Sequence, residues 1–382
     1  MGRMRTKTRK GKPVVTKNTS EELQPPSIAS LYQKAQSLVV QGDYDLALRF
    51  AQRILEREPR NVETRELLGV VQLETGDLDS ARQTFQSLIP PHPDAPSPPL
   101  PSAHLCLAQL SADDPHQALG HYQAAIDILM SKLKGKDKAI DPSGIADNEE
   151  ELRRSIARAL IGMVEIWMDP SYDLCFDPAA EKTCEGLLNQ AIQTDPGNCE
   201  VLQALASVRL SQQRQDDAKQ CAEQAWSSWK DLEAGTNDSR IPPIQTRISL
   251  VKLFLELSLY NPALLVLQGI MASDDQEVEA WYLEGWCFFL MAEQAKESGA
   301  NVEDLTWEEL ARDARDCLET CQSLHLKQEH PDRPLLEHTK ELISQLEALG
   351  IQPPPDEDEE DGEDGEGWED VGDSDDEDVE MA

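Results

Sequence analysis

The sequence has no run of about 20 apolar residues, so it contains no stretch typical of a membrane span. The N-terminus lacks the apolar core of a secretory signal, and we therefore expect a soluble intracellular protein. Cys-x-x-Cys is absent, and the histidines, cysteines and carboxylates show no metal-ligand spacing. A glycine-rich phosphate loop, a nucleophile elbow and a convincing pair of catalytic acids are also missing. These absences predict no metal site, no cofactor and no enzymatic activity.

A repeat with a period of 34 residues is visible near the N-terminus. Three pairs of matching residues carry it: Gly42 and Gly76, Ala47 and Ala81, Pro59 and Pro93. This period is typical of the tetratricopeptide repeat, in which each unit is a pair of helices that stacks on its neighbours. Small residues let the helices approach, glycine suits a helix end, and proline stops the next helix. With five weaker matches downstream, the pattern predicts an all-α, right-handed superhelical solenoid of about seven helix pairs, followed by a capping helix at 334–349.

Charge is distributed unevenly over a total of −37. Residues 1–17 hold seven lysines and arginines and no acid, whereas 356–382 hold seventeen acids and no base. Both ends are too polar to bury themselves. We therefore predict a basic disordered tail at 1–27, one tetratricopeptide solenoid at 28–349, and an acidic disordered tail at 350–382.

The basic N-terminal segment is a candidate nuclear-import signal that an import receptor would bind; the alternative is a solvated tail. Its charged residues are Arg3, Arg5, Lys7, Arg9, Lys10 and Lys12. The strongly acidic body repels phosphate, so direct nucleic-acid binding is not expected. The same charge attracts basic polypeptides and raises their rate of encounter.

A basic N-terminus, helix pairs beginning near Leu31 with the unit Gly42-Asp43-Tyr44, and an acidic tail together resemble the fungal assembly chaperones of ribosomal protein L-four. The resemblance implies a dedicated chaperone that captures its newly made, basic client by the client's extended loop. It further implies that the chaperone keeps the client soluble and escorts it from the cytoplasm to nuclear pre-60S particles. The residues by themselves leave two alternatives: an acidic histone-type chaperone and a general tetratricopeptide co-chaperone scaffold.

In tetratricopeptide arrays, the groove that binds a client is lined mainly by the first helix of each pair. The residues of this chain at the corresponding positions are Glu63, Glu66, Val70, Leu73, Glu74, Met163, Ile166, Trp167, Glu200, Gln203, Ile248, Leu255, Glu256, Glu279, Tyr282, Trp286 and Phe289. Carboxylates and aromatics suit a ligand with basic and apolar anchors. The alternative for Trp167, Trp286 and Phe289 is a place in the core between repeats. In a general co-chaperone, the positions of Glu63 and Glu66 would hold residues that bind the C-terminal carboxylate of a partner protein. The two glutamates would repel that carboxylate.

Overall fold

The computed structural model describes residues 26–136, 145–232, 240–302 and 304–352, which fold into helices without a β-strand. The α-helices within these ranges are α1 (Ile28–Val40), α2 (Tyr44–Leu55), α3 (Val62–Glu74), α4 (Leu78–Gln86), α5 (Pro101–Leu110), α6 (Pro115–Lys136), α7 (Ile145–Met168), α8 (Ala180–Thr194), α9 (Cys199–Ser211), α10 (Gln215–Ser227), α11 (Ile244–Glu256), α12 (Tyr260–Met271), α13 (Val278–Ser298), α14 (Trp307–Lys327) and α15 (Arg333–Ala348). A short 3-10 helix spans Asp173–Phe176. None of the helices in these ranges combines the length and the hydropathy of a membrane-spanning segment.

The first fourteen helices pack as seven consecutive pairs, from α1 with α2 to α13 with α14. We call the first helix of each pair the A helix and the second the B helix. The last helix, α15, packs on both α13 and α14, which is where the A helix of a further pair would lie. The prediction of about seven helix pairs and a capping helix is confirmed.

The chain divides into two compact units, and each is described by itself. The first unit contains α1–α6 and a core cluster around Phe85, Leu88 and Leu107. The second unit contains α7–α15, with one of its clusters formed around Val278 and Cys321. A single solenoid spanning 28–349 stays a prediction. We also predict two disordered tails and an import signal. Apart from 26–27 and 350–352, the residues of these segments lie outside the part of the chain that the structure describes.

The repeated Gly-Asp dipeptide joins the A helix to the B helix in the first two pairs. Gly42 and Gly76 adopt positive φ angles of 75° and 77°, which glycine tolerates without steric cost. The next backbone N–H groups, those of Asp43 and Asp77, donate to carbonyls in the last turns of α1 and α3. The side chains of the two aspartates then accept N–H groups from the first turns of α2 and α4. One dipeptide therefore ends one helix and starts the next.

Candidate binding surface

All seventeen candidate residues lie on A helices, and consecutive A helices contact one another within each unit. In the first unit α1 contacts α3, and α3 contacts α5 through the hydrogen bond between Glu66 and Ser102. In the second unit α7 contacts α9, α9 contacts α11, α11 contacts α13, and α13 contacts α15. Each unit therefore presents a row of A helices, which is the part of a tetratricopeptide protein that we expected to bind a client.

In the first unit, two glutamates of α3 face the neighbouring A helices. Glu63 is exposed, while Glu66 is half-buried and accepts a hydrogen bond from the Ser102 hydroxyl of α5. Burial, and then the charges of both glutamates, raise the pKa of Tyr32 on α1. Burial and the charge of Glu66 likewise raise the pKa of the Cys106 thiol to about 11. We call Tyr32, Glu63 and Glu66 the acidic patch; neither glutamate forms an ion pair with a cation among the described residues.

The other three candidates on α3 have different surroundings. Val70 and Leu73 are half-buried and pack against the apolar cluster around Phe85. Glu74 is exposed in the last turn, and the hydroxyl of Tyr44 on the B helix α2 donates to it over 3.4 Å. Glu74 is therefore engaged with a B helix, unlike the two glutamates of the acidic patch.

Two candidate glutamates of the second unit already have cationic partners. Arg158 of α7 donates to both carboxylate oxygens of Glu200, from Nε at 3.0 Å and from Nη2 at 3.1 Å. The Lys252 ammonium of α11 lies 2.6 Å from the Glu279 carboxylate. A basic ligand would have to compete with these internal cations at both places. Glu256 is exposed and makes no ion pair in the described part of the chain.

Several candidates are too buried to offer much surface to a partner. Ile248 is 1% exposed, and Met163, Gln203 and Phe289 are also buried. For Phe289, burial favours the alternative of a core residue. Trp167 and Ile166 on α7 are half-buried, so part of each side chain is accessible.

Five candidates meet around one cavity of about 470 Å³ in the second unit. They are Leu255, Glu256, Glu279, Tyr282 and Trp286. The remaining lining residues are Lys252, Leu283, Leu290, Asp332, Pro334, Leu335 and His338. We call this cavity the aromatic pocket. Its wall on α15 was missed by sequence reasoning, because α15 was interpreted only as a cap.

Three rings pack together in the aromatic pocket. The Tyr282 hydroxyl lies 2.8 Å from Nδ1 of His338 and forms a hydrogen bond with it. The ring centroids of Tyr282 and Trp286 are 5.7 Å apart, and that of His338 lies 5.8 Å from the first and 5.4 Å from the second. Burial, followed by the charges of nearby acidic groups, raises the pKa of Tyr282 to about 12. The tyrosine therefore stays neutral at physiological pH, and Trp286, half-buried, keeps part of its ring accessible.

The helix pairs, with a row of A helices in each unit, define a tetratricopeptide repeat protein. A family model for the tetratricopeptide repeat matches residues 32–96. "Probable assembly chaperone of rpl4" of Emericella nidulans is 31% identical to this chain over 328 residues, covering 82% of the chain and 79% of the relative. The protein of the same name in Schizosaccharomyces pombe is 30% identical over 323 residues, or 84% of the chain and 91% of the relative. The solved structure of "Assembly Chaperone of RpL4 (Acl4)", residues 1–338, is 27% identical, with a TM-score of 0.60, and the match covers 72% of this chain and all of that one. The chain belongs to the family of rpl4 assembly chaperones.

Proposed function

We propose that this protein is a dedicated chaperone of the large-subunit ribosomal protein L-four. The observation that carries the proposal is the match of about four fifths of the chain to two proteins named assembly chaperone of rpl4. The chaperone holds the extended loop of its newly made client on the A-helix surface, keeps the client soluble, and escorts it to nuclear pre-60S particles. It acts by binding and release without catalysing a reaction.

The acidic patch supports a basic client. Glu63 and Glu66, three residues apart, place two carboxylates on one face of α3 near Tyr32 of α1. Neither carboxylate forms an ion pair with a cation in the part of the chain that the structure describes. Charge-assisted hydrogen bonds to lysine or arginine are stronger than neutral ones, and an extended segment can place several such residues along a row of helices. The same two carboxylates repel a C-terminal carboxylate, which disfavours the co-chaperone alternative.

The route through the cell also belongs to the proposal. The basic residues at 3–12 would engage an import receptor, so the protein would act in both the cytoplasm and the nucleus. The acidic tail would contribute to client capture only modestly, because charges are screened beyond about 10 Å at 0.1 M salt.

The proposal is tested by reversing the charge of the acidic patch in the full-length protein. In Glu63→Lys/Glu66→Lys, each residue that acts as an anchor should cost roughly 1–3 kcal/mol of binding, which is about 5- to 150-fold in Kd. Affinity for purified L-four is measured in physiological salt by isothermal titration calorimetry. Glu66 also accepts from Ser102, so circular dichroism and urea unfolding must show that the variant is folded.

The matched control is Glu56→Lys/Glu223→Lys, which makes the same change in net charge at two exposed residues, the C-cap of α2 and a residue of α10. It should bind L-four almost as tightly as the parent protein. If the folded patch variant also keeps full affinity, client binding does not use this surface.

A variant without residues 356–382 should lose little affinity for L-four. Loss of most of the binding would instead favour a histone-type chaperone that captures its clients with the acidic tail.

A further inference from the structure

We propose that the aromatic pocket binds the side chain of one arginine or lysine of the client's extended segment. This inference rests on the proposed function and adds to it a specific place in the second unit where a basic side chain is recognised. The pocket is a single cavity between three consecutive A-type helices, α11, α13 and α15, and its volume of about 470 Å³ exceeds what one long side chain needs.

The charges around the cavity favour a cation. Three carboxylates line it, those of Glu256, Glu279 and Asp332, against the single ammonium of Lys252. Lys252 is engaged with Glu279, and Asp332 caps the start of α15 by accepting the N–H of Leu335. The Glu256 carboxylate is left without an ion pair in the described part of the chain, and it is exposed at the pocket.

The apolar wall suits the rest of a long basic side chain. Tyr282 and Trp286 present aromatic surface next to the leucine side chains of the cavity. Arginine and lysine bury their aliphatic stems on such surfaces while the charged group reaches a carboxylate. A cation that lies over an aromatic ring gains a further attraction to its electron-rich face. An apolar client residue would fill the wall but would leave Glu256 unused.

The first test removes only the carboxylate. Glu256→Gln should weaken the affinity for L-four about tenfold, which corresponds to the loss of one charge-assisted hydrogen bond. Glu337→Gln is the matched control, because Glu337 is exposed on α15 and does not line the cavity. In a double-mutant cycle, each arginine and lysine in the extended loop of L-four is changed to methionine. One of these client variants should bind the parent chaperone more weakly than unchanged L-four does. The same client variant should bind the Glu256→Gln chaperone as tightly as it binds the parent chaperone.

The second test predicts a gain of affinity, which misfolding cannot produce. Lys252→Gln removes the internal cation and frees the Glu279 carboxylate for the client, so L-four should bind severalfold more tightly. Lys340→Gln, at an exposed residue of α15 outside the cavity, makes the same change in charge and should have little effect.

The outcomes separate this inference from the proposed function. If the parent protein binds L-four but Glu256→Gln behaves like Glu337→Gln, the pocket does not recognise a basic side chain, while the proposed function stands. The inference would also be overturned if the double-mutant cycles showed no coupling energy between Glu256 and any arginine or lysine of the client. The same holds if they showed coupling between Trp286 and an apolar residue of the client instead. If the parent protein does not bind L-four at all, the proposed function itself fails.

Discussion

Changing Gly69 of α3 to alanine should destabilise the first unit, although the same change stabilises most helices. Gly69 is buried where α3 crosses α4. A Cβ atom at this position would lie 2.7 Å from Cζ of Phe85 and 2.9 Å from both Cε atoms of that ring. Carbon atoms do not pack this closely, so either the ring or the helix must move. Phe85 is fully buried in the cluster with Leu88 and Leu107, which restricts its movement.

Two opposing terms set the size of the effect. In a helix interior, alanine is favoured over glycine by about 1 kcal/mol. Adding a methyl group to a well-packed core costs about 1–3 kcal/mol through displaced side chains and backbone. The free energy of unfolding should therefore fall by up to about 2 kcal/mol, and the fall is largest when Phe85 is held in place.

Gly120→Ala is the matched control for this prediction. Gly120 is an exposed residue of α6, and a Cβ atom there would meet nothing within 4 Å. Only the propensity term remains, so this variant should be more stable than the parent by about 0.5–1 kcal/mol. Both variants carry the same chemical change in the same unit, and the structure predicts opposite signs.

Urea unfolding of the full-length protein, followed by circular dichroism at 222 nm, measures both effects. A double-mutant cycle with Phe85→Leu identifies their cause, because the smaller side chain relieves the contact and Gly69→Ala should then cost less. The reasoning is refuted if Gly69→Ala equals or exceeds the stability of the parent protein, or if its cost is unchanged when Phe85 is replaced.

Two further predictions concern a histidine pair and a buried arginine. His104 and His121 approach within 3.2 Å through their Nδ1 atoms, and burial lowers the pKa of both. As the pH drops through about 6.5, the two histidines are therefore protonated in the unfolded chain before they are protonated in the folded one. The free energy of unfolding falls over this range, by less than about 1.4 kcal/mol per pH unit for each histidine. His121→Gln should make the fall between pH 7 and 5 shallower in urea unfolding, and an unchanged slope would contradict this assignment. Arg315, which is 5% exposed, donates to the carboxylates of Glu319 and Glu347 and to a backbone carbonyl after α15. Arg315→Leu should lower the free energy of unfolding by about 1–3 kcal/mol. The control Arg312→Leu, at an exposed residue of α14, should change it by less than about 0.5 kcal/mol. Equal effects of the two substitutions in thermal unfolding would show that the hydrogen bonds of Arg315 do not hold the capping helix in place.

The helix pairs were determined by the sequence itself, because the signals that form them are local. Gly42 and Gly76 recur at the period of one repeat, and each ends its helix through hydrogen bonds that span only a few residues. The sequence likewise predicted the capping helix at 334–349, and α15 spans Arg333–Ala348 in the structure. The tetratricopeptide repeat pattern also identified which helix of each pair comes first, and therefore which helices could form the candidate surface.

The tertiary structure alone decided which of the candidate residues can meet a ligand. Glu63 and Glu200 both occupy the second position of an A helix. Glu200 is paired with an arginine 42 residues earlier in the sequence, whereas Glu63 has no such partner among the described residues. Tyr282 and His338, 56 residues apart, form one pocket because α15 packs against α13. Such pairings depend on the crossing of helices and on the lengths of their connections, which repeat less regularly than the helices do. A repeat pattern fixes the face of a helix, whereas the side chains that lie opposite that face are fixed only when the helices pack.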